Sequence, residues 1–452
     1  MRIFARRACL ETGWSADVAI SLQNGLIACI DPGSRAKAGD VVVDTLLPAL
    51  SNLHSHSFQR AMAGMTEYRA RGRESFWTWR DLMYRYLDQL TPTHIGAIAE
   101  LAFMEMLEAG YAAVGEFHYV HHAPGGIPYE DIGELSHRVM AAAAKTGLGL
   151  THLPVLYTYG GVDGRALEGG QRRFGNPVDR FCDLVERCES YAREMPADTC
   201  VGIAPHSLRA TSQPDLAELL ARRPNGPVHI HIAEQTREVE EVKAATGARP
   251  VQWLMDNADV TSRWCLIHAT HMTDDETQRL ARSKAVAGLC PVTEANLGDG
   301  VFNGQRYLDA GGVFGVGTDS NVNISLSDEL RMLEYSQRLS VRERNVMVVE
   351  EGSVGETLYL GAAAGGAQAL GRSAGTIACG KLADLVAIDS TYRSLDMLRE
   401  DQIFDGFVFA SNDGAITDVW SAGRHQVQGG RHIARDETEE HVRKTLSDLS
   451  PG

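Results

Sequence analysis

Eight short apolar, β-rich runs recur down the middle of the chain, each followed by a helical stretch. They are LLPALSNLHSH, AAVGEFHYV, GLTHLPVLY, CVGIAPHSL, PVHIHIAE, WCLIHATHM, AVAGLCPVT and GVFGVGTDS. Runs that are apolar on both faces and separated by helices predict parallel βα units. Eight of them in succession predict a closed (β/α)8 barrel. One intervening helix is well delimited: Thr91 can cap it, Pro92 takes its first position, IGAIAELAFMEMLEAG carries the apolar stripe and Gly110 ends it. The chain has 452 residues, more than the roughly 250 of a typical barrel, and its two ends read as β structure. MRIFARRACL and VAISLQNGLIACI, closed by Asp31-Pro32-Gly33, suit a small antiparallel sheet, and GTIACGKLADLVAIDS and GFVFASNDGAITDVWSAGRHQVQGGRHI read alike. The tail RDETEEHVRKTLSDLSPG predicts a charged surface helix.

Composition narrows the function classes. Hydrophobic residues at 44% and charged residues at 23% are an ordinary globular balance. No apolar run approaches the roughly 18 residues of a membrane span, and MRIFARRACLETG lacks the apolar region of a signal peptide. Eight scattered cysteines without a CxxC pair predict reduced thiols and a cytoplasmic protein. The net charge of −16 argues against nucleic acid or an anionic membrane as partner. It leaves room for a small anionic substrate, because a local arginine cluster can override the global field.

The polar residues concentrate at the carboxyl ends of the predicted strands, where barrels of this kind carry their sites. The first run ends in His54-Ser55-His56, and side chains two apart on a strand share a face. The fifth run holds His229 and His231, with Glu234 just beyond; the sixth ends at His268, with His271 following; the eighth ends in Gly317-Thr318-Asp319. Singly, such residues are ordinary surface, core or turn positions. Together, imidazoles and a carboxylate converging on one rim suit Zn²⁺ or a similar divalent ion. His229 is expected one layer deeper, as a supporting residue. His118, His121 and His122 are expected in supporting or surface roles.

This constellation resembles the amidohydrolase superfamily in LPALSNLHSH, HIHIAEQ, HATH, GTDSN and the late GTIACGKLADLVAID. The resemblance implies an α/β chain with a distorted (β/α)8 barrel over 48–370. It also implies a small β-sandwich built from 1–47 and 371–433, leaving 434–452 as the terminal helix. It implies metal binding by His54, His56, His231 and Asp319. The fourth run, CVGIAPHSLRA, has no lysine to bridge a second ion, so one divalent metal per chain is expected, with Zn²⁺ the first choice. Three neutral imidazoles and a carboxylate leave such an ion positively charged, which lowers the pKa of bound water toward about 7. Asp319 is then expected to accept a proton, His268 to orient the attacking water, and Glu234 to carry a proton to the leaving nitrogen. The plain alternative for Glu234 is a carboxylate favouring a helix start.

A narrower resemblance, to the formimidoylglutamate deiminase family, rests on HSHSFQRAMAG, SFWTWRDLMY and APHSLRA. It implies hydrolysis of N-formimidoyl-L-glutamate to N-formyl-L-glutamate and ammonia. A substrate with two carboxylates calls for planar cations rather than aromatic walls. Arg209 and then Arg80 are the expected carboxylate contacts, with Gln59, Tyr119 and His206 as weaker polar contacts. Arg172 and Arg173 are expected as solvated surface charges. The loop from Phe58 to Arg80 is a candidate to close over the substrate, or to pack on the rim or a partner. The rival readings are a nucleobase or nucleoside deaminase of the same superfamily and a catalytically inactive, assembly-forming relative. Relatives of this kind are commonly homodimers.

Overall fold

The computed structural model describes residues 1–67 and 76–449. The chain opens with four strands, β1 (Arg2–Leu10), β2 (Gly13–Gln23), β3 (Leu26–Asp31) and β4 (Val41–Pro48). Nine short parallel strands follow: β5 (Leu50–Ser55), β6 (Tyr111–His118), β7 (Gly149–Leu156), β8 (Cys200–Val201), β9 (Ala204–Pro205), β10 (Val228–Ile232), β11 (Trp264–His268), β12 (Val286–Leu289) and β13 (Val313–Val316). Four more close the chain: β14 (Leu385–Ile388), β15 (Ile416–Ser421), β16 (Arg424–Gln428) and β17 (Arg431–His432).

Both ends of the chain share one eight-stranded sheet in the order β17-β16-β15-β14-β4-β1-β2-β3. The two halves meet where β14 pairs antiparallel with β4, from Leu385 opposite Pro48 to Ile388 opposite Thr45. The sheet is mixed rather than purely antiparallel, because β1 and β4 run parallel. The segment after β3 crosses back to lay β4 on the free edge of β1. A bridge between Leu26 and Leu382 brings the β3 edge back toward the strand leading into β14. The sheet thus wraps a small core of its own, with Ile3, Val18, Ile20, Ile27, Leu46, Leu385 and Trp420 inside.

The eight predicted runs form the central strands. They lie in two parallel sheets, β5-β6-β7-β8 with β9 on β7, and β10-β11-β12-β13. Two single bridges, Ile203 to Val228 and Ser55 to Asp319, join the sheets at their seams. The result is a distorted barrel, pinched where only one bridge holds. The fourth run breaks into β8 and β9 at Gly202, where a Cβ would lie 2.7 Å from both the Pro227 carbonyl and Leu153. The predicted helix is Pro92–Glu108. The Thr91 hydroxyl accepts the His94 N–H at 3.3 Å and His94 Nδ1 accepts the Thr91 N–H at 3.3 Å. The charged tail forms the helix Arg435–Thr445, tied to the helix Pro92–Glu108 through Arg435 and Glu108. Among the described residues no helix is long and apolar enough to cross a membrane.

A buried ionic clamp fastens the barrel to the sheet. Arg372 reaches Asp384 at 2.9 Å and Asp198 at 3.2 Å, and Arg424 reaches Asp198 at 2.7 Å. The cost of burying these charges is offset only because every partner is present.

The expectation of a surface charge fails at Arg173, while His118, His121 and His122 fall on the supporting side of theirs. Arg173 is fully buried. Its guanidinium donates to the carbonyls of His122 (2.8 Å), Leu90 (3.1 Å) and Leu87, and so stitches three loops over the barrel rim. His118, His121 and His122 are likewise buried. His121 Nε2 donates to the Val155 carbonyl at 2.9 Å, and His122 Nε2 lies 3.0 Å from Asn176 Oδ1. His152, on β7, is buried beside His118 with no hydrogen-bond partner on either ring nitrogen.

Burial pushes the His152 imidazole down to about 3, while an unfolded chain binds that proton near pH 6.5. Between those limits the unfolded state holds one more proton, so stability falls as pH falls, by about 1.4 kcal/mol per pH unit. Urea unfolding of wild type and His152→Leu from pH 7 to 5 checks this. The variant should lose about that much of the slope, and parallel pH dependences would contradict a neutral buried His152.

Candidate active site

The strand ends bring together residues far apart in sequence. His54 sits on β5 and His56 immediately after it, His231 is on β10, and Asp319 follows β13. Their donor atoms all lie within 4.8 Å of one another. His54 Nε2 is 3.1 Å from His231 Nε2, and Asp319 Oδ1 lies 3.4 Å from His54 Nε2 and 3.2 Å from His56 Nε2.

Local structure makes this convergence possible. Asp319 adopts φ 45° and His268 φ 67°, in the left-handed region that side chains rarely occupy. The Asp319 N–H donates to the His54 carbonyl at 2.9 Å, and the His56 N–H donates to the Asp319 carbonyl at 2.9 Å. The Asn321 amide donates to Ser55 Oγ and to the His56 carbonyl, each at 3.1 Å. Asn52 accepts the Thr318 N–H at 3.0 Å and donates to Thr318 Oγ1 at 2.7 Å. Gly317 permits this seam, since a Cβ there would stand 2.7 Å from the His54 backbone. The barrel therefore closes through the same hydrogen bonds that orient three of the four converging residues.

The electrostatics suit a cation. Burial holds His54 neutral, with its pKa down to about 3, and holds His231 well below its usual value. Burial alone would raise the Asp319 carboxyl, but the neighbouring His54 and His56 imidazoles hold it well below the usual range. His56 Nδ1 donates to the Phe117 carbonyl at 2.9 Å, which fixes its tautomer and leaves Nε2 for the cluster. Three convergent imidazole nitrogens and one carboxylate oxygen form a donor set that fits a divalent ion such as Zn²⁺.

The chamber above the cluster is lined by His56, Gln59, Arg80, Tyr119, His206, Arg209, His231, Glu234, His268 and Asp319. Every expected site residue except His54, which is fully buried beneath, therefore faces one space. His268 Nε2 stands 3.9 Å from Glu234 Oε1 and 3.8 Å from Asp319 Oδ2. Against burial, which lowers it, the carboxylates of Glu234, Glu294 and Asp319 push His268 up to about 10. Burial raises the Glu234 carboxyl above its ordinary value, against the pull of His268 and Arg209. Arg209 Nη2 is 3.7 Å from Glu234 Oε2. Gln59 donates to the Tyr119 hydroxyl at 2.7 Å.

Two neighbours stay outside the cluster. His229 Nε2 donates to the Ala369 carbonyl at 2.8 Å, and His271 Nε2 to the Asp299 carbonyl at 2.9 Å. The expectation of cations without aromatic walls needs correction. Trp79, Tyr84, Tyr157 and Phe174 also line the chamber. Tyr157 packs on His206 with ring centroids 4.5 Å apart. In sequence, Tyr157 is only the last residue of the third run, and Trp79 and Tyr84 lie five residues apart on the helix Phe76–Leu87, off the i,i+4 spacing that would mark a shared face. Nothing in one sequence marks them as walls. Residues 68–75 of the suggested closing loop lie outside the described residues.

Residues 45–425 match the amidohydrolase family, and residues 1–42 match the N-terminal domain of the formimidoylglutamate deiminase HutF. The formimidoylglutamate deiminase of Pseudomonas aeruginosa is 45% identical over 99% of this chain and 99% of its own. The crystal structure of an amidohydrolase from Brucella melitensis superposes with a TM-score of 0.95 at 46% identity, covering 99% of each chain. An adenosine deaminase from Xanthomonas campestris with bound zinc shares the fold at a TM-score of 0.81 and 20% identity, covering 99% of this chain and 98% of its own. Matched along its whole length, the chain belongs to the amidohydrolase family, in its formimidoylglutamate deiminase branch.

Proposed function

We propose that this protein hydrolyses N-formimidoyl-L-glutamate to N-formyl-L-glutamate and ammonia with one divalent ion per chain, Zn²⁺ by preference. His54, His56, His231 and Asp319 would hold the ion. The observation that carries the reading is one chamber that joins this donor set to a buried carboxyl, Glu234, and to two guanidiniums, Arg209 and Arg80. The activity of the Pseudomonas aeruginosa relative supports the same substrate. A cytoplasmic homodimer completes the reading.

The net reaction adds water across the formimidoyl carbon and breaks its bond to the terminal nitrogen. Water supplies the carbonyl oxygen, and ammonia leaves with the protons gained. When bound, the ion supplies the charge that makes water acidic near neutral pH. Asp319 accepts the water proton. Glu234, whose carboxyl burial raises above its ordinary value, delivers one proton to the imino nitrogen; the proton taken by Asp319 completes the ammonia leaving group, and the hydroxyl proton released as the carbonyl forms returns to Glu234. The Nε2 face of His268 lies between these two carboxyls and orients the incoming water. Arg209 and Arg80 bind the substrate carboxylates. Gln59, Tyr119 and His206 orient the chain between them, and the aromatic walls exclude bulk water.

The direct test is ammonia release from N-formimidoyl-L-glutamate with identification of the product. N-formylglutamate is expected, and release of formamide would overturn the assignment. Metal analysis should find about one ion per chain, lost together with activity in His231→Ala; two stoichiometric ions would contradict the single site. Glu234→Gln should keep the ion and the fold yet lose about 10²- to 10⁴-fold in turnover, the range for a positioned acid–base group. Turnover near wild type would reduce Glu234 to a structural carboxylate. A guanidinium–carboxylate hydrogen bond contributes about 1.5–3 kcal/mol. Arg209→Met should therefore cost about 10- to 100-fold in kcat/KM for the acid. It should cost less for an analogue whose carboxylate is an amide, and equal losses on both would remove Arg209 from the carboxylate site.

A further inference from the structure

The seventh run, AVAGLCPVT, supplied no candidate residue, yet the short helix it runs into (Pro291–Leu297) reaches the reaction chamber, which its Leu297 lines. Its Glu294 is buried, and Glu294 Oε1 is 3.2 Å from His268 Nδ1. The opposite nitrogen, His268 Nε2, faces Glu234 and Asp319. An ionised carboxylate only accepts hydrogen bonds, so Glu294 requires a proton on Nδ1. That contact stops the ring from flipping and decides which nitrogen meets the substrate.

Glu294 is itself held firmly. Its Oε1 also accepts the Cys290 N–H at 2.9 Å, and its own N–H donates to the Cys290 carbonyl at 2.8 Å. Glu329, fully buried, accepts the Val292 N–H at 3.0 Å and anchors the start of the same helix. Thr293 Oγ1 donates to the Thr318 carbonyl at 3.2 Å and lies 2.9 Å from Ser320 Oγ, which ties the helix to the turn that carries Asp319. One helix thus sets the spacing between His268 on β11 and Asp319 after β13.

We infer that Glu294 is a positioning residue, which orients His268 so that its Nε2 face is presented to the reacting water and to Glu234. The inference rests on the proposed hydrolysis, in which His268 acts through that face. His268, Cys290 and Glu294 also lie close enough together to hold an ion. The hydrogen bonds already made by Glu294 Oε1 favour positioning instead.

The test uses the metal-loaded, full-length protein and N-formimidoyl-L-glutamate. Glu294→Ala should lower kcat about 10- to 100-fold, the usual effect of removing a partner that orients a site histidine. KM, metal content and Tm should stay near wild type. Glu294→Gln retains an acceptor for Nδ1–H and should recover most of kcat. On a His268→Asn background, Glu294→Ala should add less than about twofold, because the two residues act as one unit. Independent, additive losses in the double variant would overturn the inference, as would a kcat loss that tracks Tm. Loss of a metal equivalent in Glu294→Ala would overturn it in favour of an ion at this cluster. Absence of ammonia release from wild type would instead defeat the underlying reaction, so the two failures are distinguishable.

Discussion

Everything at the active end of this barrel depends on one seam, where β5 meets the turn after β13. Backbone hydrogen bonds between His54, His56 and Asp319 close the barrel there with a single bridge. The same bonds aim two imidazoles and a carboxylate at one point, and His231 arrives from β10 to complete the set. Neutral nitrogens 3.1 Å apart repel unless a proton or a cation lies between them. The left-handed backbone at Asp319 is tolerated because Asn321, Asn52 and Thr318 brace the turn that carries it. Closure of the fold and assembly of the donor set are therefore one structural event.

The charge balance of the chamber differs from that of the chain. A protein of net charge −16 would repel a dicarboxylate at long range. Inside the chamber, Arg209 and Arg80 place two guanidiniums beside Glu234 and Asp319, among the aromatic rings of Trp79, Tyr84, Tyr157 and Phe174. Glu234 lies 3.7 Å from Arg209 and 3.9 Å from His268. Burial nevertheless raises its carboxyl above the ordinary value, against the pull of both cations.

The small sheet is more than an appendage. Arg372, Asp384, Asp198 and Arg424 form an ionic clamp between it and the barrel, and β14 pairs with β4 to bring the two ends of the chain together. Removing one member would leave a buried charge without its partner, which costs far more than a surface ion pair.

The sequence by itself determined the eight strands, the capped helix Pro92–Glu108 and the residues at each strand end. Those features depend on local rules: apolar runs, capping hydroxyls, and the alternation that puts His54 and His56 on one face. It also carried the family, because the motifs stand in fixed order along the whole chain. Tertiary structure decided what depends on distance across the barrel. Arg173 reads as a surface charge until three carbonyls from two separate segments converge on it. Tyr157 and Phe174 become chamber walls only when the loops fold over the rim. Glu294 finds His268 across 26 residues of chain. Such contacts leave no local pattern, since the partner of a buried polar group is set by packing and not by its sequence neighbours.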